Sequence, residues 1–115
     1  MIRMFALVGL AIVVVGCAKE SPRDAAIRGA EHIQYYGCPS CHTIPGIPGA
    51  RGTVGPPLDR MGSRTYIAGV LPNSPTSLSI WIQHPHAVHR GTAMPEMGVT
   101  PSDAADIARY LEDLR

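Results

Sequence analysis

The chain has 115 residues, enough for one compact domain with a single hydrophobic core and too few for two such domains. Ten basic and nine acidic residues give a formal net charge of +1, and no block of like charges occurs. This balance gives no indication of a nucleic-acid partner or of an anionic surface.

The N-terminal segment has the pattern of an export signal. Arg3 supplies a positive charge, and residues 4–15 form an uninterrupted apolar run. The run is shorter than the roughly 20 residues that are needed to span a bilayer. An exported protein is therefore predicted, and a retained transmembrane helix is the weaker alternative.

Residues 14–17, VVGC, resemble the lipobox of bacterial lipoproteins. That resemblance implies that residues 1–16 are a lipoprotein signal peptide and that Cys17 becomes the lipidated first residue. A polar tether over residues 17–24 would then precede a folded domain over residues 25–115. The mature protein is expected outside the cytoplasm, in the periplasm or its equivalent, as a membrane-anchored lipoprotein. A soluble protein cut somewhere near Ala18, which leaves Cys17 behind, is the alternative.

The first helix of the folded domain is predicted over residues 22–36. The segment lacks helix breakers except Gly29, and Ala26, Ala30 and Ile33 fall near one face. Gly29 lowers the helix propensity of this segment. The helix leads directly into a cysteine cluster.

The cluster CPSCH contains Cys38, Cys41 and His42. In an oxidising compartment the two cysteines could pair as a disulfide, but structural zinc would need further ligands that are not present at finger-like spacing. A thioredoxin-like thiol pair is expected within a βαβ pattern, of which the sequence shows almost nothing. Cys-x-x-Cys-His is the attachment signature of c-type haem. Two thiols at this spacing can add to both vinyl groups of one porphyrin, and the adjacent imidazole is carried under the iron.

The middle of the chain is predicted to be loop with little regular structure. Residues 45–57 are rich in proline and glycine. Residues 62–70 are expected to add a short turn of helix. A further short helix begins at Ser74 and stops before Pro85, and its apolar side is formed by Leu78, Trp81 and Ile82.

The last helix has a clear start signal. Thr100 can cap it, Pro101 suits the first helical position, and Asp103 completes an arrangement like a capping box. Its apolar stripe consists of Ala104, Ile107, Leu111 and Leu114. This stripe is expected to pack against the first helix. Only five aromatic residues remain after the signal is removed, so a bound porphyrin would supply missing core, and the apo-protein is predicted to be poorly folded.

Six side chains are candidates for the second axial position of the iron: Met61, Met94, Met97, His84, His86 and His89. Core filling is the expected role of Met61 and Met97. Pro85 keeps the three histidines off a shared helical face, so exposed loop positions are expected for them. A surface metal site, a pH-sensitive contact and iron ligation through His89 are the alternatives.

Four segments, in chain order, resemble a class I c-type cytochrome: GCPSCHTIPG, VGPPL, AMPEMGVT and DIARYL. The resemblance extends from about Arg28 to the C-terminus. The stretch from GPPL to IQHP is similar to the cytochrome c domain fused to subunit II of some haem-copper oxidases. The resemblance implies an all-α fold, a small cytochrome c fold with three to five helices and long loops wrapped around one covalently bound haem c.

The resemblance also implies roles for single residues. Met94, in the Met-Pro pair before the last helix, is the expected distal ligand opposite His42. The Pro56 carbonyl is expected to accept a hydrogen bond from His42 Nδ1, although a plain turn proline is the alternative. Arg64 and Trp81 are expected at the haem propionates, with plain core packing as the alternative for Trp81. Gly29 is expected to permit a close crossing of the first and last helices.

If both axial positions of the iron are filled, no site remains for a substrate to bind. The expected function is then that of a membrane-tethered one-electron carrier of a respiratory chain rather than an enzyme. The expected partners are redox proteins: a quinol-oxidising complex or dehydrogenase as donor and a terminal oxidase as acceptor. Without residues 1–16 the formal charge is zero, which favours an apolar or mixed docking rim. That rim is expected at Ile44, Pro45, Ile47 and Pro48. A fixed relay subunit of an oxidase or dehydrogenase complex, and a gas-binding or peroxidase haem protein with an open iron site, are the alternatives.

Overall fold

The computed structural model describes residues 11–115. Within this part of the chain, four α-helices and one two-stranded sheet form. Their bounds are α1 Pro22–Tyr35, β1 Tyr66–Ile67, β2 Leu71–Pro72, α2 Pro75–Gln83, α3 Pro85–Val88 and α4 Pro101–Glu112. Short 3₁₀ turns occur at Cys38–Ser40 and Met61–Ser63. None of the helices in residues 11–115 is both long enough and apolar enough to cross a membrane, and most of the apolar run at residues 4–15 lies outside the described part.

Helix α1 begins with a reciprocal capping box. Ser21 Oγ accepts a hydrogen bond from the backbone N–H of Asp24 at 3.2 Å, and the Asp24 carboxylate accepts from the backbone N–H of Ser21. Pro22 occupies the first helical position, where its missing N–H costs nothing. The helix predicted over residues 22–36 is confirmed to within one residue. Its start means that residues 22–24, placed in the polar tether by the sequence, are helical.

Helices α1 and α4 cross closely at Gly29. A Cβ atom at this position would overlap the backbone carbonyl of Asp106, so only glycine permits the approach. Beside the crossing, the Arg28 guanidinium forms two hydrogen bonds to the Asp106 carboxylate, at 2.7 and 3.0 Å. The same guanidinium donates to Glu20 at 3.1 Å. The expected close crossing is confirmed, and a paired charge fixes it from the side.

Tyr36, the residue that follows α1, contributes to the N-terminus of α4. Thr100 Oγ1 accepts from the backbone N–H of Asp103 at 3.3 Å, as the sequence predicts. The Asp103 carboxylate, however, accepts from the Tyr36 hydroxyl at 2.6 Å instead of closing a capping box on Thr100. The Tyr36 hydroxyl oxygen also accepts a hydrogen bond from the backbone N–H of Thr100 at 3.5 Å. These bonds join the C-terminal end of α1 to the N-terminal end of α4.

Helix α2 follows its prediction. Ser74 Oγ accepts from the backbone N–H of Ser77 at 3.0 Å, and the helix ends at Gln83, before Pro85. Leu78 and Ile82 are buried and Trp81 is half-buried against the core. Pro85 then opens the single turn α3, which the sequence did not predict.

The prediction for residues 62–70 is wrong. Only the 3₁₀ turn at Met61–Ser63 is helical, and the chain continues into a small antiparallel hairpin in which Tyr66 pairs with Pro72 and Ile67 with Leu71. Ala68 and Gly69, at the hairpin tip, both have positive φ, +52° and +68°. Two left-handed residues in succession match the right-handed twist of the flanking strands.

The buried core lies between α1, α2 and α4 and extends under the loop that follows the cysteine cluster. Its members are Ile33, Ile44, Ile47, Ala50, Met61, Ile67, Leu78, Ile82, Val99, Ala104, Ile107, Ala108 and Leu111. The core contains no fully buried aromatic ring among the described residues, and Tyr36, Trp81 and Tyr110 pack at its margin. A small, mostly helical fold with long loops is what the sequence predicts.

Candidate functional site

Two residues, Tyr36 and Gly37, separate the end of α1 from the cysteine cluster. Gly37 takes a left-handed conformation, φ +76°, and the chain enters the 3₁₀ turn Cys38–Ser40. The Cys38 carbonyl accepts from the backbone N–H groups of Cys41, at 3.2 Å, and of His42, at 3.0 Å. All three residues of the motif therefore belong to one hydrogen-bonded turn, and the Cys38 and Cys41 side chains are half-buried and do not pair as a disulfide.

The burial of Cys38 disfavours a thiolate at this position. Burial raises the pKa of the Cys38 thiol, and the neighbouring Cys41 adds to the rise. A raised pKa keeps the sulfur protonated, whereas reactive redox cysteines and metal-ligating cysteines act as thiolates. Within residues 11–115, no three His, Cys, Asp or Glu side chains converge as they would to hold a metal ion. Within residues 11–115 the turn therefore lacks the further ligands of a zinc site, and the raised pKa of Cys38 is unlike that of a reactive redox cysteine.

His42 is oriented by a backbone carbonyl. Its Nδ1 lies 2.7 Å from the Pro56 carbonyl oxygen, and because a carbonyl only accepts, Nδ1 carries the proton. The neutral ring then has its lone pair on Nε2, the nitrogen that can bind a metal. This is the hydrogen bond that the resemblance implies, and it raises the basicity of Nε2.

Two glycines allow the chain to close around this turn. A Cβ atom at Gly55 would lie 2.8 Å from His42 Nδ1 and 3.0 Å from Nε2, so the imidazole packs directly on bare backbone. A Cβ atom at Gly52 would lie 2.5 Å from the Cys41 carbonyl carbon and 2.6 Å from the His42 nitrogen. The Gly55 N–H donates to the Cys41 carbonyl at 2.7 Å. The two glycines therefore form a cradle that leaves room for the imidazole and for no added side chain.

Both terminal helices hold the loop that follows His42. Gln34 Nε2, on α1, donates to the Pro48 carbonyl at 2.7 Å, and the Tyr110 hydroxyl, on α4, donates to the Pro45 carbonyl at 2.6 Å. Ile44 and Ile47 are buried, 2% and 6% exposed, so their placement in a docking rim is wrong. Their side chains turn inward because the loop packs on the helix pair.

The three methionine candidates differ in exposure. Met61 is buried, which confirms the core role predicted for it. Met97 is 42% exposed, so the core role predicted for that residue is wrong; it lies in a segment without helix or strand. Met94 is half-buried, and its backbone N–H donates to Thr92 Oγ1 at 3.2 Å. Met94 remains the methionine that is neither locked in the core nor largely exposed.

The three clustered histidines are all exposed, as the sequence predicts. His84 Nδ1 lies 3.8 Å from a Glu96 carboxylate oxygen, a loose surface contact. Within residues 11–115 no three His, Cys, Asp or Glu side chains converge, so the alternative of a surface metal site gains no support.

Arg64 and Trp81 have different surroundings. Arg64 uses a single nitrogen, Nη2, for two hydrogen bonds, to the Pro57 carbonyl at 2.6 Å and to the Asp59 carbonyl at 2.9 Å. Its Nε and Nη1 groups have no hydrogen-bond partner in the described chain, and neither has the indole N–H of Trp81. Both side chains therefore retain donors for an anionic group, and their role at the propionates stays a prediction.

Sequence reasoning missed several residues that position the site. Gln34, Tyr110, Gly52 and Gly55 make no recognisable motif, because each acts through a partner distant in sequence or through the absence of a side chain. Only the position of Gly55, one residue before Pro56, offered a signal.

The donor set of this site fits a covalently attached haem. Two half-buried thiols belong to one turn beside a histidine whose free nitrogen is Nε2, and the glycine cradle fixes that ring. These features define a small helical protein built to carry haem through Cys-x-x-Cys-His.

Comparison with protein-family profiles agrees with this class. The Cytochrome c family matches residues 26–115, well over half of the chain. Searches of curated proteins and of solved structures returned no significant match. The chain belongs to the cytochrome c family. It is a c-type haem protein of the electron-transfer class and binds covalently attached haem c.

Proposed function

We propose that this protein is a membrane-tethered one-electron carrier of a respiratory chain, with His42 and Met94 as the two axial donors to the haem iron. The observation that carries the proposal is the 2.7 Å contact between His42 Nδ1 and the Pro56 carbonyl, on the glycine cradle. When bound, the haem supplies reversible one-electron chemistry. The chain supplies the ligands, their orientation and the exclusion of other ligands.

Backbone contacts orient His42 for its proposed role. The Pro56 carbonyl sets the tautomer, and Gly55 sets the plane of the ring. The thioether bonds proposed at Cys38 and Cys41 would hold the porphyrin next to this preset imidazole. Because the three residues share one turn, attachment and ligation support each other.

Met94 is supported as the distal donor by its position and chemistry. It is half-buried, Thr92 holds its backbone, and Pro95 restricts the chain just beyond it. A thioether is a soft, uncharged donor, and a Met/His pair raises the reduction potential. Arg64 and Trp81 are the proposed hydrogen-bond donors to the propionates, with the free N–H groups described above.

Filling both axial positions leaves electron transfer as the remaining chemistry, and a ligand titration tests this. The reduced, purified holoprotein should show no spectral change with carbon monoxide, and the oxidised protein little change with cyanide. Rapid carbon monoxide binding by the wild-type protein would instead indicate a gas-binding or peroxidase site.

The tether is proposed at Cys17, which is exposed in a segment, residues 11–20, without helix or strand. Mass spectrometry of the mature N-terminal peptide should find a lipid on Cys17, and Cys17→Ser should release the protein from membranes with its haem intact. An unmodified Cys17 in the wild-type protein would contradict the anchor.

Gentle solubilisation of the membrane separates a mobile carrier from a fixed subunit. The haem should migrate at the size of this chain alone on native electrophoresis. Stable co-migration with an oxidase or a dehydrogenase would show the fixed relay subunit. Because Ile44 and Ile47 are buried, the docking contact is proposed around Val54, which is 79% exposed one residue before Gly55.

A further inference from the structure

A groove of about 590 Å³ lies between the first turn of α1 and the last turn of α4. It is lined by Ser21, Pro22, Arg23, Ala26, Arg109 and Asp113. Two guanidinium groups thus stand beside the apolar side chains of Pro22 and Ala26, at the end of the domain where the N-terminal segment joins it. Nothing in the electron-transfer site uses these residues.

The two arginines at this groove are not strongly neutralised by acidic side chains within residues 11–115, so they can bind an anion. Arg23 has no ion pair or side-chain hydrogen bond within residues 11–115. Arg109 lies 3.3 Å from Asp113, but both side chains are about half exposed, and such surface pairs are weak. The acidic residue in the first turn of α1 is Asp24, and its carboxylate accepts a hydrogen bond from the backbone N–H of Ser21. Guanidinium groups bind phosphate through paired N–H donors.

The groove is close to the proposed lipid. Four residue steps separate Cys17 from Ser21, so a fully extended chain spans at most about 14 Å between them. The ion pair between Glu20 and Arg28, at 3.1 Å, joins the tether to the helix just before that helix begins. A lipid on Cys17 therefore brings this end of the domain to the membrane surface.

We propose that this groove, with Arg23 and Arg109, binds the headgroup phosphates of anionic phospholipids in the membrane that carries the anchor. The inference rests on the lipid anchor proposed above. The net charge of the chain gave no sign of such a surface, because the effect depends on two arginines brought together by the fold. Helix α1 has 14 residues and is about 21 Å long. The cysteine cluster follows its opposite end, so this contact would hold the attachment site away from the lipid and towards a redox partner.

Arginine labelling of the intact lipidated holoprotein tests the proposal. The protein is placed in phosphatidylcholine vesicles with or without phosphatidylglycerol, treated with phenylglyoxal, and digested for mass spectrometry. Arg23 and Arg109 should react about fivefold more slowly in the anionic vesicles, the ratio that corresponds to ~1 kcal/mol per basic residue near such a surface. High salt should remove the difference.

Arg51 is the matched control, because it is exposed beside Gly52, near the cysteine cluster and beyond the far end of α1. Its labelling should be equal in both vesicles. Equal labelling of Arg23 and Arg109 in both vesicles, or equal slowing of all three arginines, would overturn the proposal. So would full protection by inorganic phosphate alone in phosphatidylcholine vesicles. Flotation with phosphatidylcholine vesicles reports the anchor separately: failure to float contradicts the anchor, whereas flotation without selective protection contradicts only the groove.

Discussion

The segments that carry the two proposed iron ligands are built very differently. The proximal segment, residues 38–58, is held by backbone hydrogen bonds within the segment, by side chains from both terminal helices, and by buried Ile44, Ile47 and Ala50. The distal segment, residues 89–100, contains one buried residue, Val99, and few hydrogen bonds.

The difference indicates that the two ligands depend on different parts of the protein. His42 is positioned by the polypeptide, whereas Met94 lies on a chain with few internal contacts, of the kind that opens most readily. The proximal side therefore defines the site, and the distal side closes it. Each prediction below either breaks this contrast or makes it quantitative.

Removal of the ligands should give the largest effects. Met94→Ala should keep the haem attached but allow the reduced protein to bind carbon monoxide. His42→Ala should sharply reduce the yield of haem-containing protein, because the proximal residue is part of the attachment turn. Haem staining after denaturing electrophoresis and a carbon monoxide difference spectrum measure both. Equal loss of haem in the two variants would contradict the contrast.

A methyl group added to each segment should have unequal effects. Gly55→Ala places a Cβ atom against the His42 ring and should lower the free energy of unfolding by about 1–3 kcal/mol. Gly91→Ala, in the distal segment, is the control, since its Cβ atom would lie 3.4 Å from His89 Cε1, an ordinary contact, and it should change stability by less than about 1 kcal/mol. Guanidinium unfolding of both holoproteins, followed by far-ultraviolet circular dichroism, compares them. Similar midpoints would show that the cradle is not tight.

The support of the proximal loop by α4 should have a smaller energy. Tyr110→Phe removes the donor to the Pro45 carbonyl and should cost about 0.5–1.5 kcal/mol of unfolding free energy. Tyr35→Phe is the matched control, because Tyr35 is 81% exposed and its hydroxyl has no partner in the described chain. The same unfolding assay applies. A Tyr110→Phe protein as stable as the control would remove α4 from the support of this loop.

The smallest expected effect is a change in pH dependence at the helix pair. The Tyr36 hydroxyl bond lowers the pKa of Asp103. This ionised carboxylate stabilises the fold above the ordinary aspartate pKa of about 3.9, and that stability is lost as the pH falls through the lower, folded value. Tyr36→Phe should therefore flatten the fall in stability below about pH 5. Unfolding midpoints across that range, with Tyr35→Phe as control, measure it, and parallel curves for all three proteins would contradict the role of Tyr36.

The sequence predicts the helices well because their signals are local. Ser74 and Thr100 cap the helices that they precede, and Pro85 ends α2 by removing a backbone donor. The hairpin at residues 66–72 had no such signal. Its strands are two residues long. Its turn places Ala68 in a left-handed conformation, which an alanine in the sequence does not predict.

The site divides in the same way. The cysteine cluster can be recognised from the sequence because the Cys-x-x-Cys-His spacing is itself the haem attachment signature. The Pro56 contact was expected from resemblance to a family. The burial of Ile44 and the exposure of Met97 depend on which surfaces the loops reach after folding, and no local pattern encodes that. Tyr36 and Tyr110 likewise act on residues more than 60 positions away.

The central claim is that His42 and Met94 saturate the iron of a covalently bound haem. Near-infrared absorption of the oxidised protein tests it most directly, because a sulfur-to-iron charge-transfer band requires a methionine ligand. We expect the band in the wild-type protein and in Met97→Ala, and its loss in Met94→Ala. A wild-type spectrum without the band, or a band that survives in Met94→Ala, would contradict the proposed ligation.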